Sequence, residues 1–236
     1  MPPELIRYAE LPSTMEAAHL LAQEGAEHGT AIVATRQLAG RGTRGRAWSS
    51  EPGGLWLSVI ARPARTDALE ALSLRTGLAV AAAVELACPA LPRLGIKWPN
   101  DLVIDGRKLA GILCEARWGG GRCLWVVIGI GLNVSNEVPM DLERAVAAIR
   151  SWDPTLDPGV LAAPVAAAIA LAAREAGPLT VAELRAFALR DALIGNQIAL
   201  PVAGTADGIT PTGALRVRTE AGTTQEVLAG VVAVPK

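Results

Sequence analysis

Three short stretches hold the residue types that chemistry on a charged ligand would need. The first, Gly40-Arg41-Gly42-Thr43-Arg44-Gly45-Arg46, interleaves three glycines with three arginines and follows the apolar run Ala31-Ile32-Val33-Ala34. Glycines let main-chain N–H groups approach a ligand, and guanidinium forks match phosphate or carboxylate oxygens. Such a polar loop is expected to order around its ligand. It is not a P-loop, because no Gly-Lys-Ser/Thr follows it; on its own it reads equally as a solvated turn or an RNA contact. The second stretch is Gly106-Arg107-Lys108-Leu109-Ala110-Gly111-Ile112-Leu113. Lys108 lies two residues past Asp105-Gly106, a strong two-residue hairpin signal. A hairpin lysine usually points to water, but Leu109, Ala110, Ile112 and Leu113 are apolar, and a lysine among such neighbours must find an anion or shift its pKa. The third, Lys97-Trp98-Pro99-Asn100-Asp101, compresses a cation, an aromatic, a rigid turn and an acid; its amide and carboxylate can also simply brace the turn. Gly129-Ile130-Gly131-Leu132-Asn133 then ends a buried strand with small residues. A flat ligand could lie on that backbone, with Asn133 either capping the strand end or reaching a ribose, a phosphate or a metal-bound water.

Composition narrows the field. The chain has 236 residues, 51% hydrophobic, with a formal net charge of -1. That supports a large core and provides no global basic field for nucleic acid. Positive charge in the arginine loop is therefore local and suits a small anionic ligand. The three cysteines, Cys88, Cys114 and Cys123, form no C-x-x-C pair, so reduced, mostly buried thiols of a cytoplasmic protein are expected rather than disulfides or zinc. His19 and His28 are expected at a helix surface or cap, not as metal ligands. No basic-then-apolar leader follows Met1, and the alanine-rich run 161–173 is too short for a membrane span.

The elements that must position these residues follow from periodicity. Ser13-Thr14-Met15-Glu16 has capping-box form, and Ala17, Leu20 and Leu21 mark an apolar helical face. Strands are expected at 31–35, 55–61, 95–97, 102–104, 107–117 and 123–130, and helices at 69–87, 142–150, 160–174 and 181–189. Together they predict an α+β fold: a mixed, antiparallel-rich sheet with helices packed on one face. From about Asp191 the chain becomes short strands at 197–202, 206–210, 214–219 and 225–229, punctuated by Gly208, Gly213, Gly222 and Gly230. Residues 1–190 are expected to form the main domain and 191–236 a small β-barrel, which at ~45 residues should dock on its larger neighbour.

Taken together and in order, these stretches resemble the biotin protein ligases. Ser13-Thr14, residues 37–48, 97–102, 106–113 and 129–134, and the tail glycines at 208 and 213 carry the resemblance over nearly the whole chain. It implies a catalytic domain with a class II synthetase-like, biotin/lipoate-ligase fold, and an SH3-like form for the small C-terminal barrel. It also implies a two-step ligase: biotin and Mg-ATP give biotinyl-5′-AMP and pyrophosphate, and a lysine of a biotin carboxyl carrier protein domain then attacks the mixed anhydride. By the same resemblance Ser13, Thr14 and Gln37 would hold the ureido head of biotin. Gly111, Leu113, Gly129 and Gly131 would line its slot, and Gly40 and Arg41 would close over it. Arg44, Arg46 and Trp48 would meet the adenylate phosphate, Lys108 would sit between carboxylate and α-phosphate, and Asn133 and Asp101 would lie on the nucleotide and metal side. Mg2+ would be carried with ATP, Asp101 being its candidate ligand. Lys108, Arg41 and Arg46 are the expected catalytic cations. The chain departs from the family pattern at Thr43, where arginine is common and which bears on adenylate retention, at Met15, where asparagine is usual, and at Gly54.

Some family members carry an N-terminal helix-turn-helix; with 12 residues before Ser13, no DNA binding is expected here. No membrane partner is expected either, and a homodimer is possible. Two other readings compete. A ligase for lipoate or a fatty acid would leave Ser13, Thr14 and Gln37 without polar partners. An RNA-binding module would want more aromatic residues than one tyrosine and one phenylalanine beside its tryptophans.

Overall fold

The computed structural model describes residues 4–65, 67, 69, 71–138, 145–230 and 232–233. A seven-stranded sheet holds β1 (Leu5–Leu11), β2 (Ala31–Gln37), β3 (Leu55–Ala61), β4 (Gly95–Lys97), β5 (Asp101–Ile104), β6 (Arg107–Gly119) and β7 (Arg122–Leu132). Their order is β1-β2-β3-β7-β6-β5-β4. All neighbours are antiparallel except β1 and β2. The sequence reading missed β1, a parallel edge strand whose middle residues are exposed; with one face wet and its run short, it has no apolar signature. β3 is buried at every position, as its apolar run, broken only by Ser58, predicts. The Asp105-Gly106 turn is made with both residues at positive φ, 48° and 72°, which is the type I′ geometry that Asp-Gly favours.

Four α-helices accompany the sheet: α1 (Thr14–Gln23), α2 (Leu72–Ala87), α3 (Pro158–Ala172) and α4 (Val181–Ala188). They do not all lie on one face, as expected from the sequence. Strand alternation sends Val33, Leu57, Val59 and Ile128 into a core shared with α2 and α3, and sends Ile32, Ile60 and Val127 into a second core with Met15, Ala18 and Ala22 of α1. Helix α1 is turned slightly from its predicted face: Ala17 and Leu21 pack at the margin of this core, Leu20 is 63% exposed, and Met15, Ala18 and Ala22 are the buried residues. Its N-terminus sets this rotation. Ser13 caps the Met15 amide, and Thr14 bonds Gln37 and Ser58 across the sheet, so Met15 must turn inward. The reciprocal capping box is found instead at α4, between Thr180 and Glu183.

The helix expected at 142–150 is not formed where it can be described; residues 142–144 of that segment, like 139–141 before it, lie outside the described residues. Val146 pairs as a parallel bridge with Lys108, and a 3-10 turn spans Ile149–Ser151. The backbone of Lys108 exchanges hydrogen bonds with Ala145 and Ala147 at 2.8 Å each, so edge pairing on β6 overrides helix propensity. Helix α3 begins at an Asp157 cap with proline in its first turn and buries Leu161, Val165, Ala166 and Ile169. No described helix is long and apolar enough to cross a membrane.

Beyond α4, β8 (Gln197–Ile198), β9 (Gly204–Ile209), β10 (Leu215–Arg218) and β11 (Thr224–Val227) make a separate antiparallel sheet. It is tied back firmly. The buried Trp98 indole donates to Gly213 O at 2.8 Å, and Ile96 N donates to Arg190 O at 2.7 Å. Two ion pairs hold the intervening α4 region on α2: Arg75 Nε to Glu183 Oε1 at 2.6 Å and Arg190 Nη1 to Glu85 Oε1 at 2.5 Å. Cys88 and Cys123 are buried and all three thiols are free.

Candidate functional site

The chemistry-bearing stretches meet on the face of the sheet that also carries α1. Register sets this: Gly111 pairs with Gly131 and Leu113 with Gly129 between β6 and β7, while Ser58 on β3 faces Gly129. Residues two apart on a strand share a face, so Ser58, Gly111, Leu113, Gly129 and Gly131 form one floor. Above it lies a pocket of about 280 Å³, near the small end of the ~300–1,000 Å³ range of ligand pockets.

One end of the pocket is a polar network. Gln37 Oε1 accepts from Thr14 N at 2.8 Å and from Thr14 Oγ1 at 3.0 Å, and Gln37 Nε2 donates to Ser50 Oγ at 2.8 Å. The Thr14 and Ser58 hydroxyls are 2.8 Å apart. Ser13, Thr14 and Ser58 are all buried. Ser58 was missed in the sequence; its signal was to be the lone polar residue inside Leu55-Trp56-Leu57-Ser58-Val59-Ile60-Ala61. Next to this network, Met15 closes the floor: a Cβ on Gly129 would come within 2.5 Å of its Sδ.

The other end is cationic. Lys108 Nζ lies 2.6 Å from Asp101 Oδ1 and 5.0 Å from the centre of the Trp48 ring. The anion that a lysine in this setting requires is thus Asp101, with both side chains less than one-fifth exposed. The indole of Trp48 lies on Gly111 and Gly131: a Cβ at 111 would sit 3.0 Å from its ring, and one at 131 would overlap its Nε1. That Nε1 is buried without a hydrogen-bond partner, so an acceptor brought into the pocket would find a donor already free of water. Arg41 and Arg46 line the rim. Their loop is a small hairpin, with a bridge between Arg41 and Ala47 and a bond from Gly42 N to Arg46 O at 2.8 Å. Arg44 takes φ 61° inside it, a left-handed conformation that costs a non-glycine residue about 1 kcal/mol or more.

Of the residues singled out in the sequence, Ser13, Thr14, Gln37, Arg41, Arg46, Trp48, Lys108, Gly111, Leu113, Gly129, Gly131 and Asn133 line this pocket. Gly40 does not; it sits behind the wall, where a Cβ would meet Ser50 Oγ and Trp48 O at 2.5 Å. Arg44 and Asp101 face an adjoining cleft of about 320 Å³ between the Lys97-to-Asp101 turn and residues 228–230 and 232. Asn133 donates to Ala147 O and accepts from Asn136, both at 3.1 Å, so it clasps the 145–148 segment. Asn100, another pocket residue, donates to Ile112 O at 2.7 Å. Among the described residues no group of three or more His, Cys, Asp or Glu side chains is placed to hold a metal.

The histidine expected at the surface is the clearest correction. His19 is 9% exposed and sits between the Trp125 indole and Glu115. Burial holds its pKa below the ordinary histidine range, and the Glu115 hydrogen bond offsets that in part. His28 accepts from Arg62 N and lies 2.8 Å from Ala170 O.

A mixed sheet whose glycine-paired floor joins a polar amide-and-hydroxyl end to a lysine-arginine end defines a pocket for a ligand that is neutral and polar at one end and anionic at the other. Comparison with known proteins agrees. The chain belongs to the biotin/lipoate A/B protein ligase family, whose model matches residues 8–133, and the biotin protein ligase C-terminal domain matches residues 195–234. It is 42% identical over 139 residues to the bifunctional ligase/repressor of Bacillus subtilis, a match covering 58% of this chain and 42% of that protein. It is 35% identical over 194 residues to the biotin–[acetyl-CoA-carboxylase] ligase of Mycobacterium tuberculosis, covering 76% and 67%. The chain thus spans less than half the length of several curated relatives that it matches. Among solved structures, the Aquifex aeolicus biotin protein ligase with biotin and ATP superposes with a TM-score of 0.83 at 26% identity, covering 99% of both chains. The Leishmania major enzyme with biotinyl-5-AMP gives 0.69 at 26%, covering 96% and 99%.

Proposed function

We propose that this chain is a biotin protein ligase: it activates biotin with ATP to biotinyl-5′-AMP and transfers biotin to a lysine of a biotin carboxyl carrier protein domain. The observation that carries the reading is the joining, over one glycine floor, of the Thr14–Gln37–Ser58 network to the Lys108–Asp101 pair. A ureido ring offers both donors and acceptors, which that network can meet; an apolar acid would offer it no polar partner.

The chemistry requires two anions, a carboxylate and an α-phosphate, to meet. Lys108 releases Asp101 as they bind and bridges the two, while Arg41 and Arg46 offset the remaining charge from the rim. Trp48 covers the floor, and its free indole N–H donates to the ligand. Asn133 acts indirectly, by holding the 145–148 segment that carries Val146 into the pocket wall. Asp101, paired with Lys108 here, is the residue that would help hold a Mg2+ supplied with ATP, which would offset phosphate charge. Residues 1–190 form the catalytic domain and 191–236 the small C-terminal SH3-like barrel in this reading. It further places the protein in the cytoplasm and allows pairing through the sheet edge at β1.

The test is direct. The protein is incubated with biotin, Mg-ATP and a biotin carrier domain, and the carrier is weighed by mass spectrometry. One added biotinyl group, absent when lipoate replaces biotin, is expected. An unmodified carrier beside folded, ATP-binding protein would refute the assignment.

A further inference from the structure

A side-chain relay beside the pocket begins at Arg41 and brings in Glu115, His19 and Trp125, which the reading above does not use. The Trp125 indole N–H donates to His19 Nδ1 at 3.0 Å. Because that nitrogen accepts, the proton of a neutral imidazole is on Nε2, which donates to Glu115 Oε2 at 3.1 Å. The same carboxylate oxygen accepts from Arg41 Nη2 at 3.3 Å. Burial, which depresses the His19 pKa, favours the neutral ring that this arrangement needs.

The position of this relay gives it meaning. Arg41 follows β2, and Glu115 lies on β6; in the sheet, β3 and β7 lie between them. Glu115 pairs with Val127, so it stands on the same face as Gly111, Leu113, Gly129 and Gly131. Arg41, which lines the pocket, therefore spans β3 and β7 to reach a carboxylate two residues beyond Leu113 of the floor. The pair is partly shielded, with 38% and 25% of the two side chains exposed.

We infer that Glu115 is a positioning residue: it anchors Arg41 as a strap that holds the 40–48 loop down over the pocket, and His19 and Trp125 fix the anchor. Glu115 is 25% exposed and offers one oxygen to two donors, so it is held in one orientation before ligand arrives. The loop needs such an anchor, since Arg44 strains its backbone. The consequence, which rests on the ligase reading, is retention of a hydrolysable acyl adenylate. A strapped loop slows both its escape and the entry of water.

Two measurements on the full chain test this. In the first, the ligand-free protein is digested briefly with trypsin, and cuts after Arg41, Arg44 and Arg46 are timed by mass spectrometry. Glu115→Ala is expected to speed these cuts roughly fivefold, the scale of one half-shielded Arg–carboxylate pair. Glu115→Gln, which keeps an oxygen acceptor and the residue's size, and His19→Phe, which removes the anchor's second donor, should fall between. Cuts elsewhere in the chain should be unchanged, which separates loss of the strap from loss of fold. In the second, biotinyl-5′-AMP found free in solution is compared with biotin on the carrier. Glu115→Ala should raise that ratio about fivefold, with the rate of pyrophosphate release at saturating substrates within about twofold of wild type. Unchanged loop cutting in both Glu115 variants would overturn the strap itself. Faster cutting with an unchanged ratio would overturn its role in retention. A wild-type protein that makes no biotinyl-5′-AMP would instead sink the ligase reading, with the strap still judged by the digestion.

Discussion

Replacing Lys108 by alanine separates what the lysine does for the reaction from what it does for the fold. Its ammonium lies 2.6 Å from Asp101 and over Trp48. In the reaction it is the single lysine of the pocket lining and the group proposed to lie between the reacting anions. Loss of one positioned donor to developing charge costs about 3–4 kcal/mol, which at 1.36 kcal/mol per decade is a rate decrease of roughly 160- to 900-fold. The structural cost is a separate quantity. Asp101 would stay 17% exposed without its cation, so the loss falls between the limits for exposed and buried pairs, about 1–3 kcal/mol. For a chain of this size that lowers the melting temperature by roughly 2–12 °C. Combining Lys108→Ala with Asp101→Ala removes the stranded carboxylate, so stability should recover over the single variant while the rate does not. The assay is pyrophosphate release with biotin and Mg-ATP, beside thermal unfolding of the same samples. A Lys108→Ala enzyme within tenfold of wild type would refute the bridging role. A double variant no more stable than the single one would refute the pairing argument.

Two further outcomes follow from the geometry. Gly131→Val drives a side chain into the Trp48 indole; overpacking of about 1–3 kcal/mol should displace the ring and weaken biotin binding by calorimetry, and unchanged affinity with an unchanged Trp48 position would contradict the glycine floor. Glu85 and Glu183 provide a pH signature: burial raises each pKa, but hydrogen bonds from Arg190 and the Leu94 amide, and from Arg75 and Thr180, outweigh it and hold both below the ordinary glutamate range. Their contribution is complete above the unfolded carboxylate range and is lost as pH falls through the depressed folded values, so the stability gap between wild type and a Glu85→Gln/Glu183→Gln variant should be constant near neutrality and close below about pH 4.5; a gap that widened in acid would show the sign to be wrong.

Much of the site was readable because the signals were local. Arg-Gly alternation, the Lys-Trp-Pro-Asn-Asp turn and the glycines of β7 are set by backbone needs at single positions, and Arg41, Arg46, Asn100, Gly129 and Gly131 from those stretches line one pocket. The exceptions are instructive. Gly40 is required by close packing behind the wall rather than by a ligand, and Arg44 and Asp101 turn toward the neighbouring cleft. Ser58 was overlooked because a single hydroxyl in a buried strand carries no periodic signal. The segment around Val146 had helical composition, yet an open edge of β6 captured it.

By itself, the sequence determined the elements whose cause is short-range. These are β3, from an apolar run broken only by Ser58; the β5–β6 hairpin, from two residues that tolerate positive φ; α3, from its cap, proline and apolar length; and the small terminal sheet, from its short runs punctuated by glycines. Tertiary structure alone decided which faces those elements turn toward each other. It placed α1 opposite α2 and α3, gave Lys108 its counter-ion in Asp101, and buried His19 against a glutamate 96 residues away. Local propensity is fixed by a residue and its near neighbours, whereas burial and charge pairing depend on strand order and register, which exist only once the sheet has formed.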